Sequence, residues 1–368
     1  MDTQSIYLNH AGTSWPKPNV VIDAVRDAMR VSPYDWGEHF EQAHQAIAAF
    51  FGIRNFNQLL LTPGCTSSLA IAVADIDCGG RNRVLTSAWE HHAMHRPLLK
   101  LAEHGVTIDY VPPSEDSALD LNKLEQQLSK GDVGLVAMTA SANVTGDLLP
   151  VESVVELAHR YDAQVLLDAA QVVGWLELDF CSLGADLIAF GGHKGLQAPW
   201  GIGGLYIAEQ ARMKCVSAQC ELATADRPLR PGYCDAGSVD QVALAGLHAA
   251  VRWLRQSDRP ANLTTARHQI SRIASSLISA GARCSSKQSS SQRMPTVAFS
   301  FQDKSSSEIA AALKKWGVIV GSGLQCAPLA HQTLGTDAIG LTRISVGIEQ
   351  SENDIQAAIS VLEELLTH

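Results

Sequence analysis

The chain has 368 residues, of which 46% are hydrophobic and 18% are charged, and this length is more typical of two domains than of one core. The formal net charge of −10 is unfavourable for a nucleic-acid binder, which needs a cationic surface to contact phosphates. No window is apolar enough to cross a bilayer, and the first residues lack the basic and apolar regions of a secretory signal, so the sequence predicts a cytoplasmic protein.

Eight cysteines are spread along the chain, and they include no CxxC pair and no cysteine–histidine cluster with the spacing of a zinc site. In a chain without a secretory signal, most cysteines are expected to be reduced and to pack as small buried side chains. The sequence therefore predicts neither a disulfide framework nor a metal site.

The first candidate functional segments lie in the N-terminal half. Residues 62–68 (TPGCTSS) precede an apolar helical run, and small residues that open a helix leave backbone N–H groups and hydroxyls available to a phosphate. Ser and Thr also cap many helices that bind no ligand. Residues 83–88 (RVLTSA) predict a strand, and His91 follows it. This histidine is either a catalytic ring that stacks on a planar cofactor and moves protons near neutral pH, or a partly buried structural residue.

A repeated strand–helix pattern occupies the middle of the chain. Apolar runs at residues 133–140, 164–168 and 186–190 predict strands buried on both faces, and residues 151–162 have the apolar spacing of a helix, with Pro150 just before it. Strands that alternate with helices in this way form a mostly parallel sheet with right-handed crossovers. The sequence therefore predicts an α/β fold.

Two of these strands end beside a carboxylate and an amine. Asp168 closes the strand at 164–168, and Lys194 follows the strand at 186–190 in the sequence Gly-Gly-His-Lys. In a parallel sheet both residues would lie at the carboxyl edge, where open α/β folds bind ligands. A lysine can hold the aldehyde of pyridoxal phosphate as a Schiff base, and a carboxylate can keep the pyridine nitrogen of that cofactor protonated. The alternative is a surface lysine and a helix-capping aspartate, and we favour the cofactor site because the two contexts occur together.

Two polar side chains near these strands could bind the same cofactor. Asn143 lies in the turn SANVTGDLLP, and Gln171 comes just after Asp168, so either could hydrogen-bond a cofactor hydroxyl. An asparagine in such a segment is equally typical of a plain turn. Neither residue indicates a site by itself.

The pattern changes after residue 241 to a smaller α/β unit. The predicted elements are helices at 244–256, 269–280, 307–316 and 352–366, strands at 295–301 and 318–323, and a polar, serine-rich loop at 284–293. The first of these helices could bridge to a second domain. We therefore expect a large domain at 15–245 and a small domain made of residues 1–14 and 246–368.

Cys326 lies in GSGLQCAPLAHQTLG, a segment with three glycines and a proline that predicts a mobile loop. A thiol on such a loop can approach a bound substrate and attack as the thiolate, whereas a structural cysteine is expected on a regular element. Arg343 follows in GLTRISVG, a predicted strand, where its guanidinium could bind an amino-acid carboxylate or form a surface ion pair.

Taken in order, these segments resemble the cysteine desulfurase group of class V aminotransferases, which are fold-type-I pyridoxal phosphate enzymes. The resemblance extends nearly end to end and rests on YLNHAGTSWPKP, LTPGCTSSL, EHHAMHRPL, ANVTGDLLPVE, LLDAAQVVG, FGGHKGLQAPWGIGGLYI, GLQCAPLAHQTLG and LTRISVG. It implies a homodimer whose large domain has a mostly parallel seven-stranded sheet flanked by helices, with a smaller C-terminal α/β domain. It also implies pyridoxal 5'-phosphate as cofactor and an amino acid as substrate.

The resemblance also implies roles for individual residues. Lys194 would bind the cofactor and move the Cα proton of the substrate, Asp168 would pair with the pyridinium nitrogen, and His91 would stack on the ring. The residues expected to contact the ring oxygens or the phosphate are Asn143, Gln171, His193, Thr66 and the backbone of Cys65. The residues expected around the substrate are Arg343, which would bind its carboxylate, Asn9, His10 and the nucleophile Cys326.

Several positions depart from the family pattern. Gly191 stands where Ser or Thr is usual, and residues 223–237 are too short to contain the glycine-rich loop that reaches the phosphate of the partner subunit, so we expect weaker phosphate binding. The other departures are His10 for Asn, Gly321 for Arg, Gln325 for His and Gln350 for Asn. These four surround the substrate and the nucleophile rather than the cofactor ring.

We therefore predict a cysteine desulfurase that converts L-cysteine to L-alanine with a persulfide on Cys326, with a protein as a possible sulfur acceptor. A cysteine/cystine C–S lyase or selenocysteine lyase would use the same Lys194 for β-elimination without needing Cys326. A third possibility is a non-catalytic subunit of the same fold that pairs with an active partner. An epimerase or transaminase would leave Cys326 without a role.

Overall fold

A computed structural model of the chain describes residues 5–214, 240–286, 289, 292–302 and 304–366. Within these residues the strands are β1 (Ile6–Tyr7), β2 (Leu59–Thr62), β3 (Arg83–Ser87), β4 (Thr107–Val111), β5 (Val133–Thr139), β6 (Gln164–Asp168), β7 (Leu187–Gly191), β8 (Gly203–Ile207), β9 (Arg283–Ser285), β10 (Thr296–Ser300), β11 (Val318–Ile319) and β12 (Thr342–Ser345). The α-helices are α1 (Asn19–Ala28), α2 (Trp36–Phe50), α3 (Cys65–Asp75), α4 (His92–Glu103), α5 (Leu121–Leu128), α6 (Val151–Arg160), α7 (Phe180–Leu183), α8 (Gln241–Gln256), α9 (Arg259–Ser279), α10 (Ser306–Lys315), α11 (Pro328–Leu334) and α12 (Glu352–Leu366). In this part of the chain, none of the helices combines the length and the apolar character needed to span a bilayer.

Seven of the described strands form the central sheet, in the order β2-β8-β7-β6-β5-β3-β4. β8 is antiparallel to both of its neighbours, and the other pairs are parallel. Every residue of β5, β6 and β7 is buried, because helices cover both faces of a sheet of this kind. The predicted α/β fold with a mostly parallel seven-stranded sheet is confirmed.

Adjacent residues of the central strands face opposite sides of the sheet. Leu135 and Leu166 belong to a hydrophobic cluster that includes α3 and α4, whereas their neighbours Val136 and Leu167 belong to the larger cluster on the other face. The strands are therefore enclosed by apolar side chains along their length. In β5, β6 and β7 the polar side chains are at strand ends, namely Thr139, Gln164 and Asp168.

The C-terminal residues form a smaller unit around a three-stranded antiparallel sheet, in the order β12-β10-β9. The N-terminal segment joins this unit, because β1 pairs in parallel with β11 and Asn9 bridges to Ser345. α9 packs against this sheet and against α12, whereas α8 packs against α1 and α2. The first described residues therefore lie beside strands from the far end of the sequence.

Most predicted elements agree with the structure to within a few residues, and β6 and α12 agree at both ends. The main difference among the helices is α9, which begins at Arg259, so the predicted helix at 269–280 covered only its second half. The Asp258 side chain accepts a hydrogen bond from the Ala261 N–H (3.0 Å) and caps this helix. Pro260 is compatible with the first helical turn, where no intrahelical N–H bond is lost.

Two other predictions in the C-terminal unit need correction. The predicted strand at 318–323 is wrong beyond Ile319, since Gly321 makes only an isolated bridge to Arg343. The loop predicted at 284–293 begins inside β9, and part of it lies outside the described residues. The shortened loop at 223–237 also lies outside them.

Candidate active site

A cavity of about 460 Å³ opens at the carboxyl edge of the central sheet. It contains residues that follow β3 and β5. These strands are neighbours in the sheet, but the chain continues from β3 towards one edge of the sheet and from β5 towards the other. Open α/β folds bind their ligands where the direction reverses in this way. Ten of the residues predicted from the sequence line this cavity: Cys65, Thr66, His91, Asn143, Asp168, Gln171, His193, Lys194, Cys326 and Arg343. The structure thus brings the ends of several sheet strands together with two segments of the C-terminal unit.

Asp168 ends β6 with one carboxylate oxygen bound by the protein. Its Oδ1 accepts hydrogen bonds from the Ala170 N–H (2.9 Å) and from the Cys65 thiol (3.3 Å). Its Oδ2 has no partner among the described residues, although the residue is only 4% exposed and lines the cavity. The carboxylate is therefore fixed in orientation and has one acceptor oxygen left for a ligand.

The turn that carries Lys194 is held by the N-terminal segment. The Ser14 N–H and the Lys17 ammonium both donate to the His193 carbonyl at 2.9 Å, and the Thr13 and Ser14 hydroxyls donate to the same oxygen at 3.1 and 3.0 Å. Sequence reasoning missed Thr13, Ser14 and Lys17 because no local pattern connects them with a turn 180 residues later. These contacts fix the backbone on which the Lys194 side chain is mounted.

Burial favours the neutral forms of the two basic side chains after β7, His193 and Lys194. It lowers the pKa of Lys194, while the nearby Asp168 carboxylate acts in the opposite direction. Burial, together with the Lys194 ammonium, lowers the pKa of His193 to about 4. His193 is therefore neutral at pH 7, and the amine of Lys194 loses its proton more readily than an exposed lysine does.

His91 caps the N-terminus of α4 as a neutral ring. Its Nδ1 accepts a hydrogen bond from the Ala93 N–H (3.0 Å), so the ring proton is on Nε2. Burial, and to a smaller extent the Lys194 ammonium, lower the pKa of His91 to about 4. A neutral and oriented imidazole at the cavity wall is suited to stack on an aromatic ring.

Glu90 is a completely buried acid next to His91 that sequence reasoning did not single out. The Ser87 hydroxyl and the Thr139 N–H (3.0 Å) donate to its Oε1, and its Oε2 has no partner among the described residues. Burial raises the pKa of Glu90 from an ordinary 4.5 to about 8. The side chain is therefore a neutral acid at pH 7 that links the end of β3 to the end of β5.

Replacement of Glu90 by glutamine is expected to change how stability depends on pH. The stabilisation from protonated Glu90 is fully present below the ordinary pKa of 4.5 and is lost as the pH rises through about 8. Glutamine does not titrate, so from pH 5 to pH 9 the unfolding free energy of the wild type should fall by a few kcal/mol relative to Glu90→Gln. Urea unfolding across this range measures the difference, with the exposed Glu103→Gln as control. Parallel pH profiles of wild type and Glu90→Gln would contradict the assignment.

The N-terminus of α3 forms a wall of small residues in the cavity. The first N–H groups of a helix have no intrahelical partner and attract anions. Gly191 leaves space beside this helix end, since a Cβ added there would lie 3.5 Å from the Cys65 Cβ, which is an ordinary contact. Cys65 directs its thiol to Asp168, so its backbone and Thr66 remain for an anionic group.

Asn143 and Gln171 line the cavity and also make protein contacts. The Asn143 Nδ2 donates to the Gln325 carbonyl (2.8 Å), whereas its buried Oδ1 has no partner among the described residues. The Gln171 Nε2 donates to the Ala11 carbonyl (3.0 Å). Because a buried acceptor without a partner is unfavourable, the Asn143 oxygen is suited to receive a donor from a ligand.

Arg343 is a buried cation, and none of the described carboxylates forms an ion pair with it. Its Nη1 donates to the Asn143 carbonyl (2.7 Å), its Nη2 donates to the Asn9 Oδ1 (3.0 Å), and its buried Nε is unpartnered within the described residues. Burial lowers the pKa of Arg343 to about 10, so the guanidinium is charged at pH 7. The alternative of a surface ion pair is wrong, and a carboxylate ligand would supply the missing anion.

The structure does not bring Asn9 and His10 to the cavity wall. Asn9 contacts Arg343 and so affects the cavity through it. His10 lines a separate polar cavity of about 230 Å³ together with Gln350, and its Nε2 lies 3.2 Å from the Tyr7 carbonyl. The prediction that His10 contacts the substrate is therefore not supported by its position.

Cys326 is exposed and lines the cavity beside two cations, since the Lys194 ammonium and the Arg343 guanidinium both lie within electrostatic range of its thiol. The prediction of a loop over the whole segment is wrong, because α11 begins two residues after Cys326. Gln325 and Cys326 have φ values of 42° and 59°, a left-handed conformation that non-glycine residues rarely adopt and that costs about 1–2 kcal/mol for each residue.

Among the other described cysteines, only Cys65 also lines the cavity, and its thiol donates to Asp168. Those in the described residues are unpaired and half-buried rather than fully buried, namely Cys65, Cys78, Cys181 and Cys284. The remaining cysteines lie outside the described residues, namely Cys215, Cys220 and Cys234.

Comparisons with known proteins find similar sequences and similar structures. The family model described as Aminotransferase class-V matches residues 6–358. A probable cysteine desulfurase of Chlamydia trachomatis is 30% identical over 98% of this chain and 94% of its own length. A probable cysteine desulfurase of Halalkalibacterium halodurans is 27% identical over 98% of this chain and 92% of its own length.

Solved structures share the fold. The cysteine desulfurase of Thermococcus onnurineus NA1 in its apo form matches with a TM-score of 0.90 at 24% identity, over 98% of this chain and 94% of that one. The cysteine desulfurase CsdA of Escherichia coli matches with a TM-score of 0.86 at 22% identity, over 98% and 95% of the two chains.

Proposed function

The chain belongs to the class V aminotransferase family, and from this we propose that it is a pyridoxal phosphate-dependent cysteine desulfurase. The observation that carries the proposal is that Cys326 lines the same cavity as Lys194 and Arg343. A nucleophilic thiol, an amine whose pKa is lowered by burial and a buried cation for a carboxylate are the groups that this reaction needs.

The cavity fits the proposed cofactor. Three of its side chains have a complement on pyridoxal 5'-phosphate. They are Asp168 and Asn143, each with an oxygen that has no hydrogen-bond partner among the described residues, and His91, whose ring is neutral. The space next to Gly191, at the start of α3, is suited to the phosphate. The residues that would hold the cofactor are Lys194 at the aldehyde, Asp168 at the pyridine nitrogen, His91 on the ring face, Asn143 and Gln171 at ring oxygens, and Cys65, Thr66 and His193 near the phosphate.

The chain's own groups divide the reaction between them. When bound, the cofactor would withdraw electrons from the Cα of the amino acid. The Lys194 amine would remove and return protons, and the Arg343 guanidinium would hold the substrate carboxylate. The Cys326 thiolate would attack the substrate sulfur, so an S–S bond forms while the C–S bond breaks. The electron pair of the broken bond stays with the carbon skeleton, which takes up a proton and leaves as alanine.

Product analysis tests this proposal. Protein loaded with pyridoxal phosphate and incubated with L-cysteine and a thiol reductant is expected to yield alanine and sulfide in equal amounts. Without the reductant, mass spectrometry should find an extra sulfur atom on the Cys326 peptide. Pyruvate and ammonia together with sulfide would indicate β-elimination by a C–S lyase instead. No turnover with cysteine, cystine or selenocysteine would favour the non-catalytic subunit.

The family membership supports further proposals about the whole protein. We propose a cytoplasmic homodimer that passes its sulfur to an acceptor protein. The pairing of β1 with β11 supports a small domain that combines residues 1–14 with 246–368, next to a large domain at 15–245.

A further inference from the structure

The backbone at the proposed nucleophile Cys326 has a conformation that needs stabilising contacts. Gln325 and Cys326 are consecutive residues with φ values of 42° and 59°, and neither is a glycine. Such a conformation persists only where surrounding contacts determine it. The contacts made by Gln325 are therefore informative.

Both ends of the Gln325 amide are engaged. Its Nε2 donates to the Leu341 carbonyl (2.6 Å), and its Oε1 lies 3.2 Å from the His331 Nε2. The His331 ring is 0% exposed, and its Nδ1 lies 2.8 Å from the Thr336 hydroxyl. A consistent assignment has Thr336 donating to Nδ1 and the Nε2–H of His331 donating to Gln325. The side chain before the nucleophile is thus fixed from two directions.

The carbonyls of the same two residues are also bound. The Asn143 Nδ2 donates to the Gln325 carbonyl (2.8 Å), and the His92 N–H donates to the Cys326 carbonyl (2.8 Å). The His92 N–H belongs to the first turn of α4, where it has no intrahelical partner. The strained pair is therefore attached to α4 and to the turn after β5.

These contacts connect Gln325 with Arg343, the residue proposed to bind the substrate carboxylate. Arg343 donates to the Asn143 carbonyl, Asn143 donates to the Gln325 carbonyl, and Gln325 donates to the Leu341 carbonyl, two residues before Arg343. The distance between the Cys326 thiol and the Arg343 guanidinium therefore depends on Gln325. A change at Gln325 alters the position of the nucleophile relative to the carboxylate site.

We infer that Gln325 is a positioning residue that holds Cys326 in its left-handed conformation and sets the thiol at a fixed distance from the carboxylate site. The inference rests on the proposed role of Cys326 as the persulfide nucleophile. His331 acts through Gln325 by orienting its amide. Neither residue needs to touch the reacting atoms.

Two substitutions of Gln325 separate the effect of its side-chain hydrogen bonds from the effect of its left-handed backbone conformation. Gln325→Ala removes both side-chain anchors and keeps the steric penalty of the left-handed conformation. Gln325→Gly removes the same anchors but adopts this conformation without penalty. We expect kcat for alanine formation to fall about 10- to 100-fold in Gln325→Ala and less in Gln325→Gly, with a smaller change in KM. Gln332→Ala, an exposed glutamine on α11, should match the wild type.

A measurement without cofactor or substrate completes the test. In the unloaded protein, hydrogen–deuterium exchange of peptides that cover residues 322–328 should be about tenfold faster in Gln325→Ala than in wild type or Gln332→Ala, with other peptides unchanged. Faster exchange together with the kcat order wild type, Gly, Ala supports the inference. A kcat in Gln325→Ala within twofold of the wild type, unchanged exchange, or a kcat lower in Gly than in Ala would overturn it. If the wild type forms no alanine, the proposed desulfurase function fails, and the exchange data still decide whether Gln325 anchors the loop.

Discussion

Replacement of Cys326 by alanine is expected to abolish sulfur transfer while the cofactor remains bound. Cys326 is an exposed thiol that lines the cavity beside Lys194 and Arg343, so its loss would remove the group proposed to accept the substrate sulfur. The rate of alanine formation should fall by about three orders of magnitude or more. The visible absorbance of the bound cofactor should be unchanged, because the residues proposed to hold it are intact.

The matched control for this variant is Cys284→Ala. Cys284 is also an unpaired cysteine of the C-terminal unit, but it packs against the core and does not line the cavity. It should retain wild-type alanine formation. If Cys326→Ala still formed alanine at the wild-type rate, Cys326 would not be the nucleophile. If it formed pyruvate from cysteine as fast as the wild type, the protein would be a lyase.

Replacement of Lys194 by alanine should remove both the covalent link to the cofactor and the proton carrier. Burial lowers the pKa of Lys194, which makes its neutral amine available to attack an aldehyde. The variant should lose the cofactor's visible absorbance after dialysis and at least about three orders of magnitude in rate. Borohydride reduction followed by peptide mass spectrometry should find the reduced cofactor on Lys194 in the wild type.

Two further variants show whether charge alone explains the effect. Lys194→Arg keeps a cation next to Asp168 but cannot form the covalent link, because a guanidinium stays protonated. It should be as inactive as Lys194→Ala. Lys100→Ala, at an exposed position on α4, should behave as wild type. Reductive trapping on a lysine other than Lys194 would disprove the assignment.

The parts of the site that could be predicted from the sequence are those set by local pattern. Asp168 ends one short buried strand and Lys194 follows another, and a parallel sheet necessarily brings such strand ends to one edge. The sheet topology alone therefore predicts that both residues reach a common cavity. Arg343 was correctly placed on a strand, but its burial was not evident from its neighbours in sequence.

The parts that could not be predicted depend on contacts between distant segments. The left-handed pair at Gln325 and Cys326 is held in part by Asn143, which is 182 positions away from Gln325. A segment with several glycines and a proline predicts a loop, and only packing shows that α11 begins within it. Asn9 and His10 show the same limit, because they are adjacent in sequence but only the Asn9 side chain contacts Arg343, whereas His10 lines a separate cavity.

The convergence of Thr13, Ser14 and Lys17 on the His193 carbonyl has a consequence for biosynthesis. The segment that carries these donors is secured by β1, whose partner β11 is among the last strands to leave the ribosome. Closing so long a stretch of chain is entropically costly and slow compared with local folding. The central sheet can therefore form during synthesis while the turn that bears Lys194 is still unsecured. We therefore expect Lys194 to reach its final position only after the C-terminal unit has been synthesised.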